Sequence, residues 1–220
     1  RSSDPGTLLK ARTMKTTPLL LAMLAFMGTT SARADPAMRL PDALTRVSPA
    51  DFASRTMIDE DPLENRAVLS TQRSGKREGP ARGAWITEAH ARIVLDHASG
   101  LPAWQVSHDL AYVGPRKDIT AVHYLVNGQW HRTEPRVVEH WLDHCPATDM
   151  PGQCNQVTRI VFDLPEEHAL AVAAKHARDA RQSWLIRFKD SNGESITVGF
   201  APVELAGLEQ AFADWRQKVR

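Results

Sequence analysis

The chain has 220 residues, 27 Lys and Arg against 26 Asp and Glu, and 42% hydrophobic side chains. So even a charge balance carries no nucleic-acid footprint, which needs a concentrated basic face. The hydrophobic content is that of a globular chain rather than a disordered one.

Residues 1–13 precede the first methionine and read as an upstream extension with no fold of their own. Met14 to Ala34 has the grammar of a secretory signal peptide: Lys15 supplies the positive start, Pro18 to Met27 is an apolar run of ten residues, and Ala32-Arg33-Ala34 fits the small-x-small cleavage pattern. A spanning helix needs roughly 18–20 apolar residues, so this run predicts a leader removed after Ala34 and no stable membrane span in the mature protein. The expected compartment is the periplasm or the exterior. Residues 35–220 then hold 22 basic and 25 acidic side chains, a net charge of −3.

Residues 35–83 are weakly patterned. Ser48-Pro49 opens a short helix, with Ser48 as N-cap and Pro49 at the first helical position. The acidic run Asp59-Glu60-Asp61-Pro62 ends it, and Asn65 to Thr71 reads as a strand. The basic cluster Arg73 to Arg82 lies among Gly, Pro and Ser and reads as a solvated loop.

From residue 84 the pattern is mostly β, predicting an α+β domain over 84–220. Ala91 to Asp96 is a short strand. Trp104 to Val113 alternates apolar even positions, with His108 among them, and polar odd positions, the mark of a half-buried strand. Ile119 to Val126 and Gln129 to Thr133 flank Asn127-Gly128, a strong hairpin signal. Strands follow over Arg136 to Leu142 and Val157 to Phe162.

Trp184 to Lys189 and Ser195 to Phe200 form a second hairpin whose register is set by parity. Both apolar sets share one face only if facing residues sum to an even number, so Phe188 meets Ile196, Ile186 meets Val198 and Trp184 meets Phe200 across a three-residue loop, Ser191-Asn192-Gly193. Helices are expected over Pro165 to about Arg178, burying Leu164, Leu170 and Val172, and over Pro202 to Lys218. The whole predicts one antiparallel sheet of about six to eight strands with two main helices packed on one face.

Cys145 and Cys154 are the only cysteines. An even count in an exported chain, with a Pro- and Gly-bearing loop between, points to a structural disulfide; the C-x8-C spacing differs from the C-x-x-C of redox pairs.

No nucleophile elbow, phosphate-cradling glycine loop or dinucleotide fingerprint occurs. Three readings of function follow. The first is a non-enzymatic binding or accessory protein of the cell envelope, meeting a partner or small ligand through a sheet face or strand edge, with no cofactor. The second is a metal-binding protein or metal-dependent hydrolase using His131, His140 and His144. On one strand His140 and His144 lie about 13 Å apart, so they need a ligand from a neighbouring strand. The third is a sugar- or lipid-binding module built on Tyr124 and Trp130 beside the Asn127-Gly128 turn.

Overall fold

The computed structural model describes residues 39–72, 86–144 and 155–219. The expected signal peptide, the basic cluster at 73–82 and both cysteines lie outside the described residues.

Two short helices come first, α1 (Asp42–Thr45) and α2 (Pro49–Arg55). The second starts as its sequence demands. Ser48 Oγ accepts from Asp51 N, and the Asp51 carboxylate accepts from Ser48 N at 2.9 Å, a reciprocal capping box. The acidic run does not simply end this helix. It forms strand β1 (Met57–Asp61), which pairs with β2 (Arg66–Ser70) through a turn closed by the Asp61 carboxylate. Four of the five β1 residues are exposed, so no alternation marked it in the sequence; its backbone pairing carries it.

The remaining strands are β3 (Ile86–Asp96), β4 (Pro102–Val113), β5 (Ile119–Val126), β6 (Gln129–Thr133), β7 (Val137–His144), β8 (Asn155–Leu164), β9 (Trp184–Asp190) and β10 (Ser195–Phe200). Helix α3 (Glu166–Ala173) follows β8, and α4 (Pro202–Lys218) follows β10. The expectation of one sheet with six to eight strands is corrected here. Among the described residues ten strands form two antiparallel sheets, one ordered β1-β2-β3-β4-β8-β7 and the other β10-β9-β5-β6. The chain changes sheet after β4, through Gly114-Pro115, again at Glu134-Pro135-Arg136, and a third time through α3. Each crossing is a segment the alternation pattern does not describe.

The two sheets bury a common core. His108 of β4 stands edge-on to Phe188 of β9 and Phe200 of β10, with ring centres 5.4 and 5.9 Å apart. Phe162 of β8 reaches Tyr124 of β5 and Phe188 at 6.0 and 6.5 Å. Leu205, Leu208, Phe212 and Trp215 of α4 belong to the same core, and Phe212 meets Trp104 of β4 edge-on at 6.5 Å. In α3 the buried residues are Ala169, Val172 and Ala173; Leu170, expected inside, is 36% exposed.

Helix α2 docks on α4 at Gly207. A Cβ placed there would lie 2.3 Å from Phe52 Cβ and 2.7 Å from Pro49 O, so only a hydrogen fits. The first described segment is tied to the end of the chain elsewhere too. Leu40 N donates to Arg181 O, and Trp215 Nε1 donates to the Glu60 carboxylate at 2.7 Å.

Candidate functional site

The four-stranded sheet is built from two hairpins joined by pairing between β5 and β9. In the first, Asn127 and Gly128 both have positive φ (50° and 79°), as a type I′ turn requires, and Val126 faces Gln129 as the closing pair. In the second, Phe188 faces Ile196, Ile186 faces Val198 and Trp184 faces Phe200, the parity register read from the sequence, with Gly193 at φ +84° in the loop.

Once these registers are set, every second residue faces away from the core. The outward positions are Trp130 and Arg132 on β6, Ala121, His123 and Leu125 on β5, Leu185, Arg187 and Lys189 on β9, and Ser195, Thr197 and Gly199 on β10. None of them is acidic. Arg132, His123, Arg187 and Thr197 form one row straight across the four strands, and Lys189 stands two residues beyond Arg187.

The row is held in place from within. The Arg187 guanidinium lies 4.8 Å from the centre of the Trp130 ring, and its Nε donates to Thr197 Oγ1 at 3.2 Å. His123 is held below its ordinary pKa, first by burial and then by Lys189, Arg132 and Arg187. Among the described residues no ion pair reaches Arg132 or Lys189. At the nearby β9–β10 turn, Asp190 and Glu194 both engage Lys117 instead.

The outer face of the six-stranded sheet is the opposite case, because its charges neutralise one another. Arg159 grips Asp109 through two bonds of 2.8 Å. Arg92 donates to Gln105 at 2.7 Å, Gln105 donates to Asp163 at 2.8 Å, and Arg136 donates to Asp163 at 3.2 Å, one chain across the sheet. His90 sits among these groups and is pushed down to about 4, first by burial and then by Arg92.

The residues singled out from sequence fall as follows. Tyr124 and Trp130 project from opposite faces of their sheet, Tyr124 inward and 2% exposed, Trp130 outward and 44% exposed. They do not make one patch. Tyr124 hydroxyl lies 3.1 Å from His168 Nδ1, and its pKa is raised by burial and by Glu167. His131 stacks on Tyr124 at 5.6 Å and stands 4.2 Å, ring to ring, from His168.

His140 is elsewhere, with Nδ1 2.9 Å from Thr158 Oγ1 and Nε2 3.9 Å from Asp118 Oδ1. Asp118 and Tyr124 are six residues apart at opposite ends of β5, about 20 Å at ~3.3 Å per residue. His131 and His140 are therefore not brought together. His144 closes β7, where its backbone faces Asn155. Among the described residues no group of three or more His, Cys, Asp and Glu side chains is placed to hold a metal ion.

Sequence reasoning missed the basic face. Its signal was present in the alternation of Leu185, Arg187 and Lys189 against the apolar set, but the neighbouring strands had to be known before the cations could be seen as one row. Compared with known proteins, the chain matches no family model, no curated protein and no solved structure, so its function is argued from geometry.

Proposed function

We propose that this is an exported, non-enzymatic binding or accessory protein that holds an acidic macromolecular partner on the outer face of its four-stranded sheet. One observation carries the reading. A segment of net charge −3 gathers Arg132, Arg187 and Lys189 around His123 on one face whose described outward strand positions carry no acid, while the larger sheet neutralises its own charges. Like charges held side by side cost free energy that an anionic partner returns, and complementary potentials set both encounter rate and specificity.

Export has separate support in the Met14 to Ala34 pattern and in the two cysteines. Cys145 and Cys154 are an even pair separated by a Pro- and Gly-bearing stretch, as a structural disulfide of an exported chain would be. Support for helix packing on the sheet comes from the contact of Phe212 with Trp104.

The test is retention of the protein, expressed with its own leader, on immobilised poly-glutamate across a salt series. Salt-sensitive retention that drops about tenfold in an R132E/K189E double variant, with an R116E/R136E double variant unchanged, is the expected result. Equal loss in both variants, or no retention at low salt, overturns the reading.

A further inference from the structure

The basic face ends at β6, an edge strand, and this edge is open in a particular way. In a two-residue hairpin the closing pair exchanges both backbone hydrogen bonds, and bonded pairs recur every second residue. With Val126 and Gln129 as that pair, Gln129, His131 and Thr133 turn their backbone groups toward β5. Trp130 and Arg132 turn theirs away from it, toward the open side. No other backbone hydrogen bond reaches β6 among the described residues.

Edge strands are normally blunted by bulges, prolines or charge. Strand β7 has a register irregularity between Leu142 and His144, and β1 carries Asp59, Glu60 and Asp61. Strand β6 pairs regularly, contains no proline, and its one full charge is the cation of Arg132.

Resting on the reading above, we infer that the open edge of β6 takes up an extended acidic segment of another protein as a fifth strand of this sheet. Main-chain bonds to Trp130 and Arg132 supply the attachment, and alternate side chains of the incoming strand supply the choice. Its outward residues fall about 4.5–5.5 Å from those of β6, which puts carboxylates beside Arg132 and Trp130, while its alternate, apolar residues share the inward face with His131. Arg187 in the same row and Lys189 beyond it continue the positive field behind Arg132. A second copy of this chain is the poorer occupant, because pairing β6 with β6 brings the two Arg132 cations together on faces whose charged strand positions are cationic.

The probe is a capped peptide of alternating Glu and Val, with a Lys-for-Glu peptide as control, and the readout is amide exchange in the whole protein by NMR. On adding the Glu peptide, the amides of Trp130 and Arg132 slow at least about tenfold, while Gln129, His131 and Thr133 are already slow in the free protein. In parallel, R132A removes the charged side chain and keeps the backbone N–H, whereas R132P also removes that edge N–H at a position where edge strands tolerate proline. The inference expects R132P to weaken peptide binding about tenfold beyond R132A, roughly one lost hydrogen bond.

Peptide binding without slowing of the Trp130 and Arg132 amides overturns the edge inference and leaves the face reading standing. Failure to bind either the peptide or poly-glutamate overturns both. Protection of those two amides that rises with protein concentration alone assigns the edge to a second copy and overturns the inference. Binding to anionic lipid vesicles in place of the peptide overturns it as well.

Discussion

The Arg187 guanidinium reaches over strand β5 to lie 4.8 Å from the centre of the Trp130 ring, joining β9 to β6 across the strand between them. The stack does two things at once. It holds a flexible cation flat against the sheet, and it shields one face of a tryptophan that is still 44% exposed. Replacing Trp130 with alanine is expected to cost about 0.5–1 kcal/mol of stability, the worth of an exposed cation–π contact. It should also weaken poly-glutamate retention, because Arg187 loses its fixed position. Urea denaturation and the same salt series check both; unchanged retention would show that the stack is only structural.

Gly207 permits a second sharp test. Alanine is the better helix former by about 1 kcal/mol, so in an exposed helix G207A would stabilise. Here its methyl meets Phe52 Cβ and a backbone oxygen, neither able to move freely. Overpacking on the order of 3 kcal/mol outweighs the propensity gain, for a net loss of about 2 kcal/mol. A raised urea midpoint for G207A would mean that α2 does not dock there.

Gly193 is constrained by conformation instead of space. A Cβ added there would meet nothing beyond its chain neighbours within 4 Å, yet its φ is +84°. G193A should therefore cost about 1 kcal/mol through backbone strain alone. Asparagine, which tolerates positive φ as Asn127 does at 50°, should recover part of that loss. An alanine variant as stable as the parent would remove the left-handed loop residue from the account.

His90 makes stability depend on pH in a stated direction. Its folded pKa is about 4, below the ordinary 6.5, because burial and Arg92 disfavour the charged ring. The unfolded chain therefore binds the proton first as pH falls. The stabilising contribution is complete above about 6.5 and is lost progressively down to about 4, on the order of 3 kcal/mol at most. His123 and His140 are shifted in the same direction and add to the slope. Urea midpoints between pH 7 and 4 should fall less steeply in H90Q; a slope identical to the parent's would exclude His90 as the main source.

A Cys145–Cys154 bridge predicts a protein lacking two hydrogens by mass and refractory to alkylation until reduced. Closing a loop of about ten residues contributes roughly 2–3 kcal/mol. Reduction should lower the urea midpoint accordingly, and ready alkylation of the untreated protein would discard the bridge.

Much of the fold was legible one hairpin at a time. Asn127-Gly128 announces a primed turn, and the parity of Trp184, Ile186 and Phe188 against Ile196, Val198 and Phe200 leaves one acceptable register. Helix α4 was readable to its ends because Pro202 starts it and Arg216 and Lys218 finish it. What alternation does not encode is which hairpins share a sheet. Nothing local distinguishes the passage from β4 to β5, which changes layers, from that between β9 and β10, which does not. The candidate site inherited that blindness, since His123, Arg132 and Arg187 become neighbours only when β5, β6 and β9 are known to lie side by side. The histidines misled for a related reason: His131 and His140 are close in sequence but flank opposite ends of β5.

The ties between the first described segment and the last helix bear on how the molecule comes into being. Glu60 and Trp215 are 155 residues apart, and Phe52 waits for Gly207 in the same way. Contacts of such span raise the contact order and slow the search for the native state. Made well before α4, this segment spends that interval with Phe52 and Leu40 uncovered, and a chaperone that guards apolar chain in transit would find its target there until α4 arrives.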